Sequence, residues 1–234
     1  MRAAFLEFLG AFAITFFGAY SRINNADDLL AVGLTYFLLV SSLTYAFIKL
    51  SGGQFNPILS LSLLVTKQIS PLKAIVYVAF QLLGSFVAGL FLFALYHSPT
   101  QLINRYYGEP MLNESHKFIA VSLDMISMIM LVFVYSTLAD QSNYRHIFGV
   151  AHGTVYLTNT LAFGHLSGGC INLVELIGPS LFSRNLRYWH YYIFAQIFGA
   201  AIAGIICKVF LKKQRAFPIY SGSAAQAIES KKNE

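Results

Sequence analysis

Two asparagines close two nearly identical glycine turns, one in each half of the chain. Residues 51–56 read Ser-Gly-Gly-Gln-Phe-Asn and residues 167–172 read Ser-Gly-Gly-Cys-Ile-Asn, so Asn56 and Asn172 lie 116 positions apart in a chain of 234. An asparagine side chain caps the start of a helix through its oxygen and donates hydrogen bonds through its amide group. The pattern therefore predicts two helix starts, each with an amide that can bind the oxygen of an uncharged solute.

The composition is that of a membrane protein. Hydrophobic residues make up 56% of the chain, charged residues make up 11%, and the mean hydropathy is +0.60. These values lie outside the range of soluble globular domains. Six apolar stretches are long enough to cross a hydrocarbon core of about 30 Å at about 1.5 Å per helical residue. They are Met1 to Tyr20, Leu29 to Leu50, Ala74 to Tyr96, Phe118 to Ala139, Ile147 to Leu166 and Tyr188 to Leu211.

Two further apolar segments are too short to span a membrane. They run from Asn56 to Thr66 and from Asn172 to Phe182. Each would leave backbone groups unpaired in lipid unless it lined a cavity or lay inside the protein. Helices that enter the membrane halfway and turn back meet that condition. The predicted fold is therefore all-α, an integral membrane protein with six transmembrane helices and two re-entrant half-helices.

The two halves of the chain match at three landmarks in the same order. Besides the asparagine turns, residues 81–89 match residues 196–204 at an offset of 115, and Glu7 corresponds to Asp124 at an offset of 117. Because each half has three spans, the second copy must enter from the opposite side, which makes an inverted repeat. The two half-helices then meet near the midplane, where their positive ends oppose the passage of cations.

Basic residues set the expected orientation of the chain. With both termini in the cytoplasm, 11 Lys and Arg residues lie on the inner side and 5 on the outer side, as the positive-inside rule requires. Most of the net charge of +6 comes from these flanks and from a basic tail. We therefore expect contacts with membrane lipid and no nucleic-acid partner.

The two turns and their surroundings resemble those of the aquaporin, or major intrinsic protein, family. The positions that correspond to its two Asn-Pro-Ala motifs are Asn56, Pro57, Ile58, Asn172, Leu173 and Val174. Glu7 and Asp124 match the family's buried carboxylates, which brace the re-entrant loops. The resemblance implies a passive channel, assembled as a homotetramer, for water and small neutral solutes such as glycerol, urea or ammonia. It implies no cofactor and no enzymatic activity.

The resemblance also implies four positions of a selectivity filter at the outer end of the pore. They are Tyr36, Thr160, Gly169 and Glu175. Members of the family normally carry an arginine where this chain has Glu175. In one interpretation the carboxylate faces the pore, which removes a barrier to cations and admits solutes larger than water. In the other it folds back to the Asn172 backbone and completes a capping box at the helix start.

Two other functions and two membranes remain open at this point. The chain could be a non-conducting membrane scaffold of the same fold, or a channel of an intracellular membrane with unusual selectivity. Lys231 and Lys232 resemble the dilysine retrieval signal of endoplasmic-reticulum proteins, so the membrane is either that one or the plasma membrane. We expect a channel domain over residues 1–211, with repeat halves at about 1–105 and 116–211, and a disordered basic cytoplasmic tail over residues 212–234.

Overall fold

The computed structural model describes residues 1–96, 107–139 and 145–210, and this part of the chain is built from helices joined by turns. A single 3-10 turn, Glu114–His116, precedes the fifth helix. The eight α-helices of the described residues are α1 (Arg2–Asn24), α2 (Leu29–Phe47), α3 (Pro57–Val65), α4 (Pro71–Tyr96), α5 (Lys117–Leu138), α6 (Arg145–Ser167), α7 (Leu173–Ser183) and α8 (Trp189–Phe210).

Six of these helices correspond to the predicted spans, and five of the six are both long and apolar enough to cross a membrane. The remaining one, α6, has 23 residues, which is sufficient length. It is more polar because it carries His152, Asn159 and Thr160, all of which are buried inside the protein. The outward faces of the long helices expose large apolar side chains such as Leu38 and Ile205, as contact with lipid requires.

The two short helices begin where the sequence predicts. Asn56 is the N-cap of α3 and Asn172 is the N-cap of α7, and their backbone angles are nearly the same, with φ of −139° at both and ψ of 118° and 120°. Pro57 occupies the first position of α3, where its missing N–H leaves no hydrogen bond unmade. The same local geometry has thus survived in both halves, although Leu173 replaces the proline in the second.

The helix pairing shows the inverted repeat. In the first half α1 packs against α4, in the second α5 packs against α8 in the same way, and α2 crosses α6 between the halves. The two equivalent crossings depend on glycines. A Cβ atom on Gly84 would lie 2.4 Å from the Phe8 carbonyl oxygen, and one on Gly199 would lie 2.6 Å from that of Met125. Small residues therefore let the backbones approach closely at both crossings.

The second half-helix contains an interior proline, which the first lacks. Pro179 lies inside α7, and a proline there removes one helical hydrogen bond and crowds the preceding turn. The Ser85 hydroxyl of α4 lies beside this proline. It accepts a hydrogen bond from Gly178 N at 2.9 Å and donates to the Val174 carbonyl at 2.5 Å. A side chain from the first half therefore satisfies backbone groups of α7.

Candidate functional site: a pore between two half-helices

The two capping asparagines meet at the centre of the molecule and bind each other's loops. Asn56 Nδ2 donates to the Ile171 carbonyl at 2.9 Å, and Asn172 Nδ2 donates to the Phe55 carbonyl at 2.9 Å. The oxygen of each amide caps its own helix: Asn56 Oδ1 accepts from Ile58 N at 2.9 Å, and the second amide follows the same pattern. The N-termini of α3 and α7 are therefore held against each other by reciprocal hydrogen bonds.

A tyrosine hydroxyl occupies the space beside this pair. Asn172 Nδ2 also donates to the Tyr156 hydroxyl at 3.1 Å, and the Tyr156 ring stacks on Tyr36 with a centroid distance of 6.1 Å. Asn56 and Asn172 each have 0% of their surface exposed. In this conformation Tyr156 therefore takes one of the amide hydrogens that a solute would otherwise accept.

His152 is also buried and lies on α6, one helical turn before Tyr156. Its Nδ1 lies 2.9 Å from the Thr44 hydroxyl, and its ring packs against Tyr135 and Tyr156. Its Nε2 is buried without a hydrogen-bond partner among the described residues. The lining near the asparagine pair is thus mostly aromatic with a few polar atoms, which is typical of sites that bind small molecules.

Glu175 forms an ion pair that neither interpretation of the sequence anticipated. Its Oε2 accepts a hydrogen bond from Arg22 Nη2 at 2.9 Å, and the two side chains are 1% and 11% exposed. The guanidinium carbon of Arg22 lies 5.0 Å from the centre of the Tyr36 ring, a distance suited to a cation–π contact. The carboxylate is therefore bound to the end of α1 and does not reach back to the start of its own helix.

The other two predicted filter positions lie next to each other. The Gly169 backbone has φ of +65°, and a Cβ atom there would come 2.9 Å from Thr160 Cα. Glycine is thus needed at this position both for its backbone angle and for space. Thr160 and Arg22 line one cavity of about 190 Å³, so all four predicted filter residues belong to, or directly adjoin, the wall at one end of the site.

The same cavity is bordered by an acidic side chain from the loop before α5. Glu109 accepts hydrogen bonds from Asn185 Nδ2 at 2.8 Å and from the Ser183 hydroxyl at 3.1 Å, and it lines the cavity. Burial raises the pKa of the Glu109 carboxyl, although these hydrogen bonds oppose the shift. The raised pKa brings protonation of this group closer to neutral pH than for an exposed glutamate.

The first predicted brace contacts the loop directly. Glu7 is fully buried in α1, and its two carboxylate oxygens accept from Gln54 N at 3.1 Å and Phe55 N at 2.6 Å. Gln81 of α4 donates to the same carboxylate at 2.8 Å. Hydrogen bonds to an ionised acceptor are among the strong ones, so Glu7 fixes the turn that ends in Asn56.

The second brace is indirect. Asp124 Oδ1 accepts from the Ser167 hydroxyl at 2.7 Å, and that hydroxyl in turn accepts from Gly169 N at 3.2 Å. Asp124 Oδ2 is buried without a hydrogen-bond partner among the described residues. The shorter aspartate therefore reaches the loop only through a serine.

Reasoning from the sequence missed Arg22 and Tyr156. A signal for each was present. A carboxylate in an apolar half-helix needs a cationic partner, and Arg22 is the basic residue in the last turn of a helix on the same predicted side. Tyr156 is conspicuous when the halves are compared position by position, because the equivalent position 116 residues earlier carries Val40 and so has no hydroxyl group.

Comparisons with known proteins concern the family and the fold. The profile of the family described as MIP, Major intrinsic protein, matches residues 1–207. The glycerol uptake facilitator protein-like 6 of Lactiplantibacillus plantarum is 28% identical over 89% of this chain and 98% of its own length. A probable aquaporin, TIP-type alpha, of Phaseolus vulgaris is 30% identical over 88% and 84%. The fold resembles the solved aquaglyceroporin of Plasmodium falciparum, with a TM-score of 0.71, 22% identity, and coverage of 90% and 96%.

Proposed function

Because this chain belongs to the major intrinsic protein family, we propose that it is a passive channel for water and small neutral solutes such as glycerol, urea or ammonia. The observation that carries the proposal is the reciprocal pair of hydrogen bonds by which Asn56 and Asn172 each donate to the loop of the other half. These bonds fix two helix N-termini against one point. Relatives named as an aquaporin and as a glycerol facilitator support the same solute class.

The arrangement at the asparagine pair suits the passage of a neutral oxygen atom. The positive ends of α3 and α7 raise the energy of a cation there. An amide hydrogen that now binds the Tyr156 hydroxyl can bind a water or alcohol oxygen once that hydroxyl moves aside. Glu7 and Asp124 hold the two loops in place. This matters because displacement of either loop would separate the two amides.

Tyr36, Thr160, Gly169 and Glu175 form the proposed filter. The small side chain of Thr160 lines one side of the cavity wall, and Gly169, which lacks a Cβ atom, lets its loop pack directly against Thr160. Tyr36 and the ion pair of Glu175 occupy the other. The two sides together offer an apolar surface and a hydrogen-bonding surface, which is the combination that a short polyol needs.

We also propose the placement of this channel in the membrane. The excess of Lys and Arg on one side supports cytoplasmic termini, and the exposed apolar faces support contact with lipid. Residues 1–211 then form the channel and residues 212–234 a basic cytoplasmic tail. Lys231 and Lys232, the proposed retrieval signal to the endoplasmic reticulum, lie outside the described residues, as does all of that tail. We propose assembly as a homotetramer on the ground of family membership alone.

One observation favours the alternative of a non-conducting scaffold. Both asparagines are fully buried beneath Tyr156, so water reaches neither amide in this conformation. A scaffold would keep this closed arrangement at all times, whereas a channel would open it by thermal motion of the tyrosine side chain.

Flux through purified protein in liposomes distinguishes the two. Vesicles with and without the protein are exposed to gradients of sucrose, glycerol and urea, and their volume is followed by stopped-flow light scattering. A channel shortens the response to sucrose and accelerates re-swelling in glycerol or urea. Rates equal to those of protein-free vesicles for all three solutes would support the scaffold.

A further inference from the structure

Arg22 places a nearly buried positive charge at one end of the site. It lies in the last turn of α1, and its side chain is 11% exposed. A buried charge is costly unless it is paired and hydrogen-bonded. Glu175 Oε2 at 2.9 Å and the face of Tyr36 at 5.0 Å supply that compensation, so two of the four filter positions hold this one guanidinium in place.

Both charges of the pair lie at helix ends that stabilise them. Glu175 is in the first turn of α7 and Arg22 is in the last turn of α1. A carboxylate is favoured at the positive N-terminal end of a helix and a guanidinium at the negative C-terminal end. An arginine in the first turn of α7 would oppose the helix dipole, so moving the positive charge to α1 removes that conflict.

Arg22, rather than Glu175, borders the cavity. Arg22 is among the residues that line it, together with Thr160 and Gly168, and Glu175 is not. Arg22 Nη1 is buried without a hydrogen-bond partner among the described residues. An arginine has five N–H donors, so the guanidinium keeps donors that the protein does not use, and a solute in the cavity beside Arg22 can bind them once the side chain turns towards it.

We infer that Arg22 is the specificity-determining cation of this channel, and that Glu175 is the residue that positions it. The inference rests on the proposed channel function. Arg22 donates to the oxygen of a solute that enters the filter and repels cations, while Glu175 behind it fixes the guanidinium against Tyr36. The positive charge of the filter is thus contributed by the first half of the chain, whereas the proposed filter positions Thr160, Gly169 and Glu175 lie in the second.

Three variants in proteoliposomes test this inference. Arg22→Gln removes the charge, Arg22→Gln with Glu175→Gln removes the pair without leaving a buried charge unpaired, and Arg22→Glu with Glu175→Arg exchanges the two charges. Proton leak is read from a pH-sensitive dye inside the vesicles, and water and glycerol permeabilities are read by light scattering. Arg187→Gln is the matched control, because Arg187 pairs with Glu114 at 2.6 Å in an exposed ion pair away from the cavity.

We expect the single and the double glutamine variants to raise the proton leak by about tenfold, which corresponds to about 1.4 kcal/mol of barrier. Their glycerol-to-water permeability ratio should also rise. The charge-exchanged variant should also leak protons faster than the wild type, because it places a carboxylate at the cavity and sets both charges against the helix dipoles. Arg187→Gln should leave all three quantities unchanged. Each variant is checked for a monodisperse peak in detergent before reconstitution, and the double glutamine variant answers the question if the single one does not fold.

The outcomes separate this inference from the proposed function. If the wild type conducts water and the double glutamine variant leaks protons no faster than it does, Arg22 is only a structural partner of Glu175. If the wild type conducts neither water nor glycerol, the channel function itself is wrong and the inference falls with it.

Discussion

The two half-helices have nearly the same backbone but are held by different means. The loop before α3 is braced from its own half by Glu7, which accepts from two of its N–H groups and is itself bound by Gln81, and it also accepts hydrogen bonds from Tyr135 and Asn172 of the second half. The helix α7 is bound mostly by the other half, since Thr15 and Ser85 donate to the Val174 carbonyl at 2.8 Å and 2.5 Å.

The sequence counterparts of these residues explain the difference. Thr15 corresponds to Val132 and Ser85 to Ala200, and neither apolar side chain can make the equivalent bond to α3. Pro179 in α7 also frees backbone groups that need such partners. A duplicated sequence thus keeps the position of its two asparagines while the restraints around them diverge, and the second half becomes dependent on the first.

The largest expected effect comes from removing the direct brace. Glu7→Gln should lower the free energy of unfolding by about 3 kcal/mol. The new amide turns an N–H group towards the backbone N–H groups from which the carboxylate accepts hydrogen bonds. For a chain of this length, a loss of that size lowers the melting temperature by roughly 10 °C. Asp124→Asn should cost about 1 kcal/mol, since only one bond from Ser167 is affected. Circular dichroism in detergent measures both, and equal losses would mean that the halves are braced alike.

Removing the Ser85 hydroxyl beside Pro179 of α7 should have the next largest effect on stability. Ser85→Ala leaves Gly178 N without its acceptor and takes one donor from the Val174 carbonyl, at a cost of about 2 kcal/mol, or roughly 6 °C in melting temperature. The matched change is Ala200→Ser at the equivalent position, which should give no stabilisation because α3 has no internal proline. A gain from Ala200→Ser similar to the loss from Ser85→Ala would contradict the proposed asymmetry.

Much of this architecture could be predicted from the sequence, because the features that specify it are local. Asn56 with Pro57 marks a helix start, the repeat places Asn172 at an equivalent one, and apolar length defines the spans. The four filter positions are implied by the resemblance to the family, and their role in selectivity stays a prediction.

Contacts between distant segments could not be found in this way. Arg22 and Glu175 lie 153 positions apart, and their pairing depends on the angle at which α1 meets α7. The close approach of α4 to α7 at Gly178 likewise decides that Ser85 reaches the Val174 carbonyl. Such distances come from packing of the whole molecule, which no periodicity in the chain encodes.

Replacing Tyr156 by its counterpart from the other half should change water flux more than the free energy of unfolding. Tyr156→Val introduces the residue that stands at the equivalent position 40, and it frees the Asn172 amide. We expect osmotic water permeability to rise by about tenfold, equivalent to about 1.4 kcal/mol of barrier. The converse change, Val40→Tyr, should lower it. An unchanged rate in both variants would show that Tyr156 does not limit passage.

The smallest expected effect concerns the second donor to α7. Thr15→Val matches Val132 in the other half and keeps the side-chain volume, while Ser85 still serves the Val174 carbonyl. The cost should be about 0.5–1 kcal/mol, or roughly 2 °C in melting temperature. The change should be larger when Ser85→Ala is already present, because both donors to one carbonyl are then missing. Strictly additive shifts would mean that the two hydroxyls act separately.

The most direct test of the account is the osmotic water permeability of liposomes that contain increasing numbers of wild-type molecules per vesicle. We predict that permeability rises in proportion to copy number, because each chain carries its own pair of opposed asparagines. A permeability that stays at the protein-free value at every copy number would contradict the assignment of this chain as a channel.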